Sequence, residues 1–184
     1  AGIPGFAVKL TDSEVAALEK NPNVRGIWPD MMFILAKPAP APVPLPAETT
    51  PPGITRVGGG ATYTGTNKAW IIDTGIDLDH KDLNVDTEKG KTFVARTATP
   101  NDDNGHGTHC AGIVAAIDNT VGVVGVAAGA SVVPVKVLDK RGSGAMSVII
   151  AGVDWVTANG VAGDAANMSL GGGIYEPLDL EVIQ

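Results

Sequence analysis

Two stretches decide the fold: Ala69-Trp-Ile-Ile-Asp-Thr-Gly-Ile-Asp77 and Asn104-Gly-His-Gly-Thr-His-Cys-Ala-Gly112. The apolar run ending in Asp73 reads as a buried strand that delivers a carboxylate to the end of a sheet. The second stretch sets His106 in a glycine-flanked turn, just ahead of a small-residue run, Ala111 to Ile117, that reads as a helix. An aspartate and a histidine presented this way are two members of a nucleophilic triad. In such a triad the histidine takes a proton, while the aspartate fixes its tautomer and stabilises the imidazolium.

Working outward, the same strand–helix alternation continues. Residues 68–73 read as a strand and 107–117 as a helix. Residues 130–138 are the next strand, in which Pro134 predicts a bulge or an unpaired N–H. Residues 144–158 carry apolar side chains at Met146, Ile149, Ile150, Val153 and Val156, a helical spacing. Residues 165–170 form a third strand, closed by Gly171-Gly-Gly173. The expected class for residues 54–184 is therefore α/β, a parallel sheet with helices on both faces and ligands at the carboxyl ends of its strands. Asp73 lies at one such end, and Ser169-Leu170-Gly171 at another.

Upstream, residues 1–36 read as a small α+β unit. Gly5 to Leu10 is a short strand, Thr11 a helix cap with Glu14 at the capping-box position, and Val24 to Trp28 a second strand. Residues 37–53 are a linker, because the alternating prolines from Lys37 to Pro46 enforce polyproline II and remove every second N–H. A proline-rich recognition ligand is the alternative use of that segment.

Each chemical motif has a competing reading. Asp-Thr-Gly is good turn chemistry and is also half of an aspartic-protease site, which needs two such loops, so a homodimer would have to supply the second. His106 and His109 form an H-x-x-H pair, but zinc pairs on a helix favour i and i+4 with a glutamate between them, and Gly107 and Thr108 supply neither base nor ligand. Cys110 reads as a buried small hydrophobe. As the single cysteine of the chain, it excludes an internal disulfide.

Charge and hydropathy exclude other classes. A net charge of -7 argues against a nucleic-acid partner. No apolar run reaches the roughly 18–20 residues of a membrane span. No signal peptide is visible in the chain.

The order Asp73 then His106, in these contexts, resembles the subtilisin-like serine proteases. The resemblance covers residues 5–173 and is strongest over 69–112 and 142–172. It implies that residues 1–36 are the latter half of an inhibitory propeptide that also assists folding, with a maturation bond between Phe33 and Gly53. It implies that Asp73 and His106 are catalytic, and that Gly142-Ser143-Gly144 and Ser169-Leu170-Gly171 are the two edges flanking an extended polypeptide substrate. Unaided by it, Gly142-Ser143-Gly144 is a loop before a helix. Cys110 is placed as in the proteinase K-like subtilases, under the catalytic histidine and not as nucleophile. A structural Ca2+ is also implied, held by the side chains of Asp82 and Asn119 and the carbonyls of Ile117, Val121 and Val123; a solvated turn is the alternative. The family's last calcium ligand, from the mature N-terminus, is not identifiable near Pro51–Thr55.

The family's nucleophile sits in a Gly-Thr-Ser-Met-Ala segment, and none of Ser13, Ser131, Ser143, Ser147 and Ser169 has that context. The expectation is the front part of a secreted serine endopeptidase, inactive alone. The alternatives are a propeptide inhibitor or foldase acting in trans, or one half of a split enzyme.

Overall fold

The computed structural model describes residues 4–35 and 45–183. In chain order its elements are α1 (Asp12–Leu18), β1 (Met32–Ile34), α2 (Pro52–Arg56), β2 (Ala61–Thr62), β3 (Ala69–Asp73), β4 (Asn84–Val85), β5 (Lys91–Thr92), α3 (His106–Ala115), β6 (Ala127–Ala128), β7 (Ser131–Lys136), β8 (Ser143–Ala145), α4 (Met146–Asn159), β9 (Ala165–Asn167) and α5 (Glu176–Val182).

The expected α/β architecture is present. The central sheet runs β4-β7-β3-β9, with β5 also on β7, and every pairing in it is parallel. β3 is buried at all five positions because both its faces are covered. Trp70 and Ile72 point into one apolar cluster with Val133, Val135 and Val137, capped by Met146, Ile149 and Val153 of α4. Ala69 and Ile71 point into a second cluster with Val132, capped by Cys110, Ala111 and Ala115 of α3. The period-2 alternation of the strands thus assigns one helix to each face. Pro134 makes no bulge: it pairs with Ile71 and falls between the two short partners of β7, after the β4 pairs end at Val132 and before the β5 pairs begin at Val135.

The first unit departs from expectation. α1 forms with its capping box: the Glu14 N–H donates to Thr11 Oγ1, and Glu14 Oε2 accepts from the Thr11 N–H at 2.7 Å. Neither Gly5–Leu10 nor Val24–Trp28 is a strand. A strand needs a ladder, and among the described residues nothing pairs with either segment; Phe6 stays 81% exposed. The strand of this unit is β1, which crosses to the second unit and pairs antiparallel with β8: Met32 with Ala145, Phe33 with Gly144, Ile34 with Ser143.

The expected linker also ends early. The proposed polyproline stretch falls largely outside the described residues, but Ala47 and Thr49 already bridge to Val121 and Val123. The chain is therefore part of the second unit from about Pro46, whose carbonyl accepts from the Gly122 N–H at 2.8 Å.

Candidate active site

The strand ends bring the first candidates together. Asp73 is the last residue of β3 and His106 the first of α3. His106 Nδ1 lies 2.8 Å from both carboxylate oxygens of Asp73. Asp73 is fully buried, whereas the His106 side chain keeps 21% of its surface. Burial pushes the Asp73 carboxyl above its ordinary range, opposed by hydrogen bonds from His106 and from the Thr74 N–H at 2.6 Å. With Nδ1 engaged, Nε2 is the ring nitrogen left for proton transfer.

The start of α3 has no side-chain cap of its own, and its cap residue is Gly105. Asp102 supplies the missing acceptor. Its carboxylate accepts from the N–H groups of Asn104, Gly105 and Thr108, from Thr108 Oγ1 and from Thr74 Oγ1. A negative charge at a helix N-terminus is favourable. Thr74 Oγ1 in turn accepts from the Gly107 N–H at 2.9 Å, joining the helix start to the strand end. Gly107 must be glycine, since a Cβ there would meet the Gly75 carbonyl oxygen at 2.1 Å. The close approach that glycine allows is thus to the chain's own backbone.

Cys110 is buried, with Sγ 3.8 Å from His106 Nδ1. Burial pushes its thiol up, so at neutral pH it is a thiol and a poor metal ligand. Asp73, His106 and Cys110 each offer an atom within 4.8 Å of the others, but the hydrogen bond between Asp73 and His106 accounts for their closeness. His109 is exposed, and the H-x-x-H pair does not converge.

Leu170 and Gly171 of the second candidate substrate edge line a cavity with Phe33, while the first edge runs along β1. Ser143 and Gly144 pair with it, and the Gly142 carbonyl accepts from the Leu35 N–H at 2.8 Å. Phe33, 7% exposed, closes a small cavity of about 80 Å³ lined also by Met146, Ile149, Leu170, the run Gly171–Gly173, and Leu178. Ser169 itself is exposed and accepts from Asn167 Nδ2 at 2.9 Å. Two further contacts seat the first unit. Asp30 caps α4, accepting from the Ser147 N–H at 2.9 Å and from its hydroxyl at 2.6 Å, and Tyr175 donates to the Pro29 carbonyl at 3.1 Å.

Residues 70–180 match the Subtilase family, and residues 1–36 match the Peptidase inhibitor I9 family. The chain belongs to the subtilase family. This subtilase chain is 48% identical over 131 residues to subtilisin DY of Bacillus licheniformis, covering 68% of the chain and 46% of the relative. It is 41% identical over 172 residues to subtilisin E of Bacillus subtilis (strain 168), covering 90% and 42%. It is 38% identical over 189 residues to the extracellular serine proteinase of Thermus sp. (strain Rt41A), covering 100% and 44%. A cold adapted subtilisin-like serine proteinase of known structure superposes with a TM-score of 0.56 at 37% identity, over 66% of this subtilase chain and 44% of that one. The chain spans less than half the length of these relatives.

The candidate calcium loop is built as a clamp around Asp82, which is 2% exposed. Its carboxylate accepts from Asn119 Nδ2 at 2.6 Å and from the Val123 N–H at 3.2 Å. Gly122, at φ 74°, lets the loop close, since a Cβ there would sit 2.3 Å from Asp82 Oδ2. Asn119 as placed offers its NH2 to Asp82, while its Oδ1 accepts from the N–H groups of Thr120 and Val121. To serve as a ligand it would have to turn its amide over. The sequence reading missed Glu48, whose carboxylate accepts from the Asn119 N–H. It also missed Phe33, Asp102 and Lys136; a capping signal could have found Asp102, three residues before Gly105 and six before Thr108.

Proposed function

We propose that the chain carries the Asp–His half of a serine-type endopeptidase that hydrolyses peptide bonds in proteins. The observation that carries this reading is the buried Asp73 carboxylate gripping His106 Nδ1 through both oxygens at 2.8 Å. A carboxylate so placed fixes the tautomer with the proton on Nδ1 and stabilises the imidazolium formed when Nε2 takes a proton from a serine hydroxyl. The same imidazolium then returns that proton to the leaving amine, and an acyl-enzyme is hydrolysed by the reverse sequence. None of the chain's serines stands in a Gly-Thr-Ser-Met-Ala context, so this reading assigns the nucleophile to none of them and expects no hydrolysis from these 184 residues alone.

The substrate would lie extended between Gly142-Ser143-Gly144 and Ser169-Leu170-Gly171, adding a strand by main-chain pairing. The seat of β1 on β8, with Phe33 in the pocket beside Leu170, supports this: the chain's own first unit occupies the place a substrate strand would take, as an inhibitory propeptide does. On this reading the maturation bond lies within residues 36–46, between Leu35, whose N–H donates to the Gly142 carbonyl, and Ala47, which bridges to Val121.

The donor chemistry around Asp82 suits Ca2+, a hard cation that takes six to eight oxygens. The carbonyls of Thr120 and Gly122 accept from the N–H groups of Glu48 and Thr49, so the candidate ligands of this stretch are those of Val121 and Val123. With Asp82, Asn119 and the Ile117 carbonyl, they form the proposed set, and Glu48 is the added candidate from the start of the second unit. Bound there, the cation would supply structural crosslinking and no step of catalysis. Secretion is the compartment this reading favours, in keeping with the extracellular Thermus relative.

The coding sequence past the Gln184 codon tests the proposal. A frame that reaches a Gly-Thr-Ser-Met-Ala segment should yield a product that hydrolyses casein and loses at least about 10²-fold in kcat with His106→Ala, the low end for a general base. A product with that serine but no His106-dependent hydrolysis refutes it. The reading of residues 1–36 as an inhibitor in trans has its own support in the I9 match, and predicts that the isolated segment inhibits a related subtilase.

A further inference from the structure

We propose that Lys136 is a positioning residue for the acid–base pair: its buried ammonium ties the loop that carries His106 to the strand end that carries Asp73. Lys136 closes β7 and is the register partner of Asp73 at the end of β3. Its side chain is 1% exposed, and its ammonium has two partners on different segments. One is the carbonyl of Thr74, the residue after Asp73. The other is the carboxylate of Asp103, at 2.7 Å, three residues before His106.

An ammonium taken out of water is costly unless it is paired and hydrogen-bonded, and a long flexible side chain loses rotamer freedom as well. Filling that space with an aliphatic side chain would serve packing equally well. What the lysine adds, beside the backbone bridge of Ile76 to Asn101, is a directional, charge-assisted link from the Thr74 carbonyl to the Asp103 carboxylate. The Asp102 network holds the helix start to Thr74, and Lys136 fastens the preceding turn to a second strand, β7, so the His106 loop is held from two sides. A two-oxygen grip on Nδ1 at 2.8 Å tolerates a ring displacement of only about 0.5 Å. Asp103 is 44% exposed, so without the lysine its end of the loop has water as its competing partner.

This inference rests on Asp73 and His106 acting as a pair, and the test separates the two ideas. In the full chain labelled with 15N-histidine, the Nδ1 proton of His106 held by Asp73 should resonate far downfield and vanish in Asp73→Asn. Its absence from the unsubstituted chain overturns the pair and the inference with it. With that signal in hand, Lys136→Met should keep the Trp70 indole resonance of the folded core and lose the downfield proton. Asp103→Asn, at a half-exposed position, should retain the fold while amide exchange over Gly105–Thr108 quickens about tenfold, the effect of losing one charge-assisted bond. A folded Lys136→Met chain with its downfield proton intact overturns the proposal. If Lys136→Met does not fold, Asp103→Asn decides, and unchanged exchange with an unchanged His106 signal overturns it.

Discussion

Replacing Asp164 by asparagine should make the chain less stable near neutral pH yet less sensitive to acid. Asp164 stands just before β9 and gathers four donors: Trp70 Nε1 at 2.9 Å, the Lys68 N–H at 2.9 Å, the Val161 N–H at 3.2 Å and Asn67 Nδ2 at 3.4 Å. Burial alone would raise its carboxyl, but these hydrogen bonds together outweigh it and bring the pKa down from the ordinary 3.8 to about 2. A folded-state pKa below the unfolded one gives stability that is full above about pH 4 and is lost as the pH falls toward about 2. At about 1.36 kcal/mol per unit the span corresponds to about 2.4 kcal/mol; partial solvent access reduces the expected contribution to about 1–2 kcal/mol. Urea titrations of both chains at about pH 6 and about pH 2.5, followed by the Trp70 indole, isolate this group because the other carboxylates cancel in the difference. Asp73 makes the subtraction necessary: its raised carboxyl works the other way, losing stability as the pH rises through its folded-state value. Equal acid slopes in the two chains would refute the reasoning.

Phe33→Ala removes the one side chain of β1 that is buried and should loosen its docking by about 3 kcal/mol, the low end for a phenylalanine truncation. The check is exchange of the Leu35 N–H, expected to lose about two orders of magnitude of protection; unchanged protection places the docking energy elsewhere. Added Ca2+ should raise the melting temperature of the metal-free chain, by about 2.7 kcal/mol of stability at a hundredfold excess over Kd. Asp82→Asn should abolish that gain, and an equal gain in the variant excludes the loop. The raised, buried Cys110 thiol should react with a disulfide reagent at neutral pH at least about tenfold more slowly than a free small thiol; rapid labelling in the folded chain would contradict its placement under His106.

The parts of the fold legible in sequence were those whose signal is local or saturated. Trp70-Ile71-Ile72 is apolar at every position because β3 is covered on both faces, and the capping box at Thr11 and Glu14 closes within one turn. Asp73 and His106 were legible because glycines and small residues around them leave few other uses. The remainder depends on partners remote in sequence. Met32-Phe33-Ile34 has no alternation to mark it and becomes a strand only because β8 is there to receive it, 111 residues on. Val24–Trp28 reads as a strand and has no ladder to join. Lys136, in an otherwise apolar run, gives no hint that its charge turns inward, because the acceptors that permit it come from Thr74 and Asp103. Glu48 follows a proline-rich stretch and looks like solvent-facing spacer until the loop of residues 117–124 folds over it.

The seat of β1 has a consequence for timing. While residues 36–46 join the two units, the first faces its groove at an effective concentration set by the tether and not by how much protein is present. Three paired residues, one inserted ring and a helix cap seat it there. A cut in that tether removes none of these contacts, yet leaves them to hold at whatever concentration the protein itself has. Release would then be governed by dilution: crowded molecules stay blocked after cleavage, and the same molecules spread into a larger volume come free.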